Sequence, residues 1–169
     1  MAATERGGPV VCDGGPLIHL DELGCVGLLD DFGEILVPVA VWGEVEQHRP
    51  DALRAGMRLR QVGAAAVPPD VDVLAHALNL HAGEREALCL VREHQAELLL
   101  TDDTAARLAA RSLGIQAHGT IGVLFRAIRI GRKSAQEVAA LLRSLPSVSS
   151  LHIRRSLLEE FIRQAEQSS

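Results

Sequence analysis

The strongest constraint on this chain is an alternation. Three short apolar runs, Val10–Cys12, Ile35–Val37 and Leu98–Leu100, are each followed by turn residues and then by a helical pattern. Such runs are strand-sized, and strands separated by helices are joined by crossovers, so they lie parallel in one sheet between helices. The class expected is α/β. At 169 residues the chain is about one domain long, and no linker or repeat divides it. A single domain is expected, with an α/β core over about residues 8–130 and C-terminal helices over about 131–169 that pack on that core or on a partner chain. A composition of 47% hydrophobic and 23% charged residues excludes disorder, collagen and coiled coil.

The helices are bounded by local signals. One is expected from Leu17 to Asp30, after the Gly14-Gly15-Pro16 turn, and another after Pro38, carrying Trp42, Glu44 and Val45. Proline opens a helix at no cost because the first N–H has no partner there. The stretch Arg49–Val67 fits neither period. Asp70 reads as the N-cap of a helix over Val71–Leu80, and a further helix covers Glu84–His94. After Leu98–Leu100, a helix runs to Leu113 with Gly114 as its left-handed cap, and another spans Thr120–Ile130 and is closed by Gly131. Ser134 and Glu137 form a capping box for a helix to Leu145, and the last helix covers Ile153–Gln164. Their stripes, Val138, Leu141, Leu142 and Leu145, then Ile153, Leu157, Leu158, Phe161 and Ile162, must bury against the sheet or a partner chain.

Several function classes drop out. The longest apolar stretches, such as Ile121–Ile130, are interrupted by arginine and fall short of the ~20 residues of a membrane span. Glu5, Gly7, Gly8 and Pro9 stand where a signal peptide would be apolar, so a cytoplasmic location is expected. Cys12, Cys25 and Cys89 form no Cys-x-x-Cys pair, which favours buried, reduced thiols. The net charge of −5 argues against nucleic-acid binding by bulk charge while leaving room for a local basic patch. The seven histidines, His19, His48, His76, His81, His94, His118 and His152, make no HExxH or other ligand set and read as surface or structural. Trp42 and three phenylalanines are too few for a base-stacking platform.

The chemistry lies in where the acids fall. Ligands of an open parallel sheet bind outside the carboxyl ends of its strands, where Asp13 follows one strand and Asp102 and Asp103 follow another. Each acid alone has a plain alternative. Asp13 and Asp103 can cap the helices they precede, Glu44 can be a solvated helix residue, and Glu84 and Glu86 can complement a helix dipole.

Five fragments, in order, resemble one family. They are Val11-Cys12-Asp13-Gly14-Gly15-Pro16-Leu17-Ile18; Phe32-Gly33-Glu34-Ile35-Leu36-Val37-Pro38 with Val41-Trp42-Gly43-Glu44-Val45; Gly83-Glu84-Arg85-Glu86-Ala87-Leu88; Leu98-Leu99-Leu100-Thr101-Asp102-Asp103-Thr104-Ala105-Ala106-Arg107; and Gly119-Thr120-Ile121-Gly122-Val123-Leu124. Together they resemble the PIN-domain family, in its stand-alone prokaryotic, toxin-type ribonuclease subgroup. The resemblance implies a three-layer α/β/α sandwich around a twisted parallel sheet of about four or five strands. It implies an endoribonuclease whose acids, Asp13, Glu44, Glu84 (with Glu86 as its rival) and one or both of Asp102 and Asp103, hold metal and do catalysis. It also implies a small antitoxin-like partner covering the crevice. Gly15 departs from the pattern, since related toxins often carry serine or threonine beside the first aspartate.

Elementary electrostatics agrees with a cation. Two carboxylates ~4 Å apart repel by about 1 kcal/mol in water and about 4 kcal/mol at an effective dielectric of 20. An oxygen-only ligand set favours Mg²⁺ or Mn²⁺ over Zn²⁺, and two such ions support phosphodiester hydrolysis with water as nucleophile. A phosphatase or receiver reading is disfavoured because both expect a lysine late in the sheet and Lys133 is the only lysine; the phosphatase also wants a second aspartate at position 15, where Gly15 stands. The remaining rival is a catalytically inactive PIN-fold module that binds nucleic acid or protein. RNA phosphates would be gripped by Arg107, Arg126 and Arg129, the last two near Arg132 and Lys133. The C-terminal stripes, in a chain so poor in aromatics, point to a homodimer.

Overall fold

The computed structural model describes residues 8–168, and the reading of the N-terminus falls mainly on residues 1–7, outside the described residues. Five strands, β1 (Val10–Cys12), β2 (Ile35–Pro38), β3 (Leu59–Val62), β4 (Leu98–Leu100) and β5 (Gln116–His118), form one all-parallel sheet in the order β3-β2-β1-β4-β5. The register places Val10 opposite both Ile35 and Leu98, and Leu100 opposite both Cys12 and His118. The carboxyl ends of β1, β4 and β5 therefore share one rim.

Eight α-helices connect and follow the strands: α1 (Gly14–Glu22), α2 (Val39–His48), α3 (Pro69–Ala77), α4 (Ala82–Glu93), α5 (Thr104–Ser112), α6 (Thr120–Arg129), α7 (Ala135–Val148) and α8 (Arg155–Gln167). Because side chains alternate across a strand, Val10, Cys12, Ile35, Val37 and Leu100 face one layer, with α1, α2, α6, α7 and α8. Val11, Leu36 and Leu99 face the other, with α3, α4 and α5. The result is a helix–sheet–helix sandwich. The chain leaves β1 toward one layer and β4 toward the other, so a crevice opens between these adjacent strands, where the strand order reverses.

Some boundaries differ from those read in the sequence. The first helix stops at Glu22 because Gly24, at φ +70°, turns the chain, and Val26–Phe32 is a 3₁₀ segment. Asp70 is not an N-cap: Pro69 lets α3 start earlier, and Asp70 accepts from the Val71 amide and pairs with Arg92. Proline does not end α7, which continues through Pro146 to Val148. The capping box of Ser134 and Glu137 and the left-handed Gly114 and Gly131 stand as expected. All three cysteines are buried and free.

The apolar stripe of α7 is spent inside the chain. Val138, Leu142 and Leu145 are buried, α8 packs along α7, and Phe161 meets Phe125 of α6 edge-on at 6.2 Å. Glu22 accepts from Ser149 and Ser150, tying the α7–α8 turn to α1. In the last stripe, Leu158 is buried and Ile153, Phe161 and Ile162 pack on the core, while Leu157 stays 44% exposed, so most of both stripes covers the core of this chain. No helix among the described residues is long and apolar enough to cross a membrane.

Candidate active site

Asp13 is the first residue past β1 and the N-cap of α1. Its Oδ1 accepts from the Gly14 amide at 2.8 Å, and its Oδ2 accepts from the Thr101 hydroxyl at 3.0 Å. Burial pushes its carboxyl up to about 6; the bonds from Gly14 and Thr101 oppose that rise, and the charges of Glu84 and Glu44 add to it.

Thr101, fully buried past β4, joins two acids, because its hydroxyl also accepts from the Asp103 amide at 3.2 Å. Sequence reasoning gave Thr101 no role, although it stands in the strand-end fragment directly before the acidic pair. Asp103 caps α5 through the Ala106 amide at 2.7 Å. Glu84, at the third position of α4, accepts from the His81 amide at 2.8 Å in a capping box. Burial raises its pKa, and the neighbouring Asp103 contributes to the rise. Glu44, exposed on α2, reaches toward the start of α1: its Oε2 lies 3.9 Å from where a Cβ on Gly14 would stand. Asp13, Glu44, Glu84 and Asp103 therefore surround one crevice. The plain readings also hold, since Asp13, Glu84 and Asp103 each cap a helix and Glu44 is exposed on α2.

Asp102 is committed elsewhere. Its Oδ1 accepts from the Thr120 amide at 2.6 Å, and its Oδ2 accepts from the Thr120 hydroxyl at 2.6 Å and contacts His19 Nδ1 at 2.8 Å. It fastens β4 to the start of α6 and to α1. Two glycines make room for it: a Cβ on Gly119 would stand 2.4 Å from Asp102 Oδ1, and one on Gly15 3.1 Å from Oδ2. His19, read from sequence as surface or structural, is structural in this network. Glu86 is also committed, accepting from the Ala40 amide at 2.9 Å and the Ala64 amide at 3.4 Å, which ties α4 to the start of α2.

The basic residues divide. Arg107 is exposed on α5, and its Nη1 lies 3.2 Å from the position a Gly119 Cβ would take, beside Asp102 at the rim. Arg126 lies instead over the Phe32 ring at 4.3 Å and donates to the Asp31 carbonyl, ahead of β2. Arg132 pairs with Asp31, and Arg129 closes α6. Because α6 starts at the acidic rim and runs back across the sheet, Arg126 and Arg129 lie at the amino ends of the strands. They are not brought together with the acids.

Among the described residues, no three aspartate, glutamate, histidine or cysteine side chains converge closely enough to hold a metal ion. The donor chemistry nonetheless suits one. Asp13, Glu44, Glu84 and Asp103 offer only oxygen, and none has an arginine or lysine partner among the described residues. Burial first, and the neighbouring carboxylates second, raise the Asp13 and Glu84 carboxyls, and a hard cation would favour their ionised forms.

A family model described as a PIN domain matches residues 9–167. No curated protein matches the chain.

Proposed function

Because the chain belongs to the PIN-domain family, whose members are generally nucleases and typically use divalent metals, we propose that it is an Mg²⁺- or Mn²⁺-dependent endoribonuclease. The observation that carries the reading is the buried Asp13 carboxyl. It is held at about 6 among Glu84 and Glu44 and is joined through one threonine hydroxyl to Asp103. Asp13, Glu44, Glu84 and Asp103 would hold the ion. A divalent cation bound there supplies positive charge to the scissile phosphate and favours ionisation of the attacking water. Thr101 orients Asp13 by donating to Oδ2, while the Gly14 amide fixes Oδ1, so the carboxylate faces the crevice without rearrangement. Asp102 holds the Thr120 end of α6 in place and supports the wall of the crevice.

The test is cleavage of a mixed RNA pool by the full chain in Mg²⁺, in Mn²⁺ and in EDTA, with calorimetric titration of each ion. Metal-dependent internal cleavage that Asp13→Asn abolishes is expected. A wild type that binds neither ion at millimolar concentration and cleaves nothing would replace this reading with the inactive binding module. The toxin role is part of the proposal, and growth arrest on induced expression, relieved by Asp13→Asn, is its expected outcome.

A further inference from the structure

A groove of about 620 Å³ opens beside the crevice, between the outer face of α5 and the edge strand β5. Leu108, Ile115 and Ala117 give it an apolar floor, and Arg107, Arg111 and His118 line it with donors. Leu108 is 48% exposed, unusual for a leucine on a helix whose other face is core. Arg107 and Arg111 sit four residues apart, so they share one face of α5, about 6 Å apart along its axis.

The charges decide what the groove suits. Among the other described arginines, Arg49 pairs with Asp21, Arg85 with Asp72, Arg92 with Asp70 and Arg143 with Glu166, while Arg54, Arg58, Arg126, Arg129 and Arg154 have no carboxylate partner and do not line this groove. Among the described residues, Arg107 and Arg111 have no such partner, and like charges at this spacing repel. A site that keeps two guanidinium groups, neither in an ion pair among the described residues, over an apolar floor complements phosphates attached to bases or riboses. Arg107 stands against Gly119 and beside Asp102, which supports the wall of the crevice, and Thr104, the residue after Asp103, also lines the groove, so the groove adjoins that wall. A peptide strand added to β5 would find only the three residues Gln116–His118 to pair with, and no use for the two charges.

We propose that this groove carries the single-stranded RNA leading away from the scissile phosphate. Arg107 and Arg111 take successive backbone phosphates, and Leu108 lies under a base or ribose. The inference rests on the nuclease reading of the crevice and extends it to the path of the substrate. Arg111 is the decisive probe because it lies a helical turn away from the acids.

The experiment is fluorescence anisotropy of a labelled 12-nucleotide single-stranded RNA with the full chain in EDTA, where cleavage is silent, at several salt concentrations. Arg111→Ala is expected to weaken binding roughly 3- to 10-fold and to flatten the log–log salt slope by about 0.7, the value of one lost single-strand phosphate contact. Arg111→Glu should weaken it further and Arg111→Lys should largely restore it. Arg163→Glu on α8 carries the same charge change far from the groove and should leave binding within about twofold. The inference is overturned if Arg111→Glu matches wild type in affinity and slope, if Arg163→Glu weakens binding equally, or if wild type binds no RNA. It is also overturned if Arg111→Glu changes only the mass seen by light scattering, which would make the groove a protein contact. Wild type that cleaves while Arg111→Glu binds normally removes the groove and leaves the nuclease. Loss of binding in Arg111→Glu with no cleavage by wild type removes the nuclease and leaves the groove.

Discussion

Thr101 Oγ1 donates to Asp13 Oδ2 at 3.0 Å across adjacent strands β1 and β4, and the same hydroxyl accepts from the Asp103 amide. One buried side chain thus sets the relation between two acids from opposite halves of the chain. Thr101→Val keeps the shape and removes the hydroxyl. It should cost about 1–3 kcal/mol in urea unfolding, because it leaves the Asp103 amide without this partner. It should also lower RNA cleavage by roughly tenfold or more, and steady-state kinetics would place the loss in kcat.

Asp13 should make the metal-free protein pH-sensitive. A carboxyl raised to about 6 in the folded state, against about 3.9 unfolded, favours folding when protonated and opposes it when ionised. Stability through this group is therefore greatest below about pH 4 and falls as pH rises to about 6, by up to about 3 kcal/mol. Asp13→Asn lacks this titration, so in EDTA the unfolding free energy of the variant should gain on wild type across that window. A constant difference from pH 4 to 7 would place Asp13 in solvent rather than in a buried cluster.

Divalent ions should act on the same group in the opposite sense. Binding to the folded state alone at one hundred times the dissociation constant adds about 2.7 kcal/mol. Mn²⁺ or Mg²⁺ should therefore raise the melting temperature of wild type at pH 7.5 and leave Asp13→Asn nearly unmoved.

Glu84 and Glu86 should separate cleanly. Glu84→Gln can still accept from the His81 amide, so it should fold nearly as well as wild type yet lose metal-dependent cleavage. Glu86→Ala frees the Ala40 and Ala64 amides and should cost about 1–2 kcal/mol in denaturant unfolding, with cleavage retained at full folding. The reverse pattern would exchange their roles.

Gly119→Ala should be among the most damaging single-methyl changes. The new Cβ would stand 2.4 Å from Asp102 Oδ1, so Asp102 would have to leave the Thr120 amide, at a cost of about 2 kcal/mol or more in urea unfolding. Gly15→Ser should be milder. Its Cβ would lie 3.1 Å from Asp102 Oδ2, a crowding that a shift of a few tenths of an ångström relieves, and melting temperature should fall less than for Gly119→Ala.

Much of this arrangement is written locally. β1, β2 and β4 are apolar runs because both their faces are covered, and Ser134, Gly114 and Gly131 mark helix ends by their own chemistry. β3 and β5 are edge strands: Arg60, Gln61, Gln116 and His118 are exposed, so no apolar run announces them. The acids at the strand ends are legible because the parallel topology gathers strand ends. Which of Asp102 and Asp103 faces the crevice is not, since successive residues differ only in where the following chain takes them. Here Thr120 and His19, both distant in sequence, claim Asp102. Glu84 and Glu86 lie about 200° apart around α4, and only the packing of α2 shows that Glu86 meets the distant Ala40 and Ala64 amides while Glu84 caps its own helix.

The central position of β1 has a consequence for the order in which the molecule comes together. Val10 lies between Ile35 and Leu98, so a chain emerging from the ribosome can lay β2 against β1 early. The other side of β1 stays open until Leu98–Leu100 has been made. A product terminated before that point lacks Thr101 and Asp103 and presents a bare strand edge, a template for aggregation. Docking of β4 is thus the step at which β1 ceases to be an exposed edge and at which the acid set is completed. Nascent chains carry no finished crevice until most of their length has been synthesised.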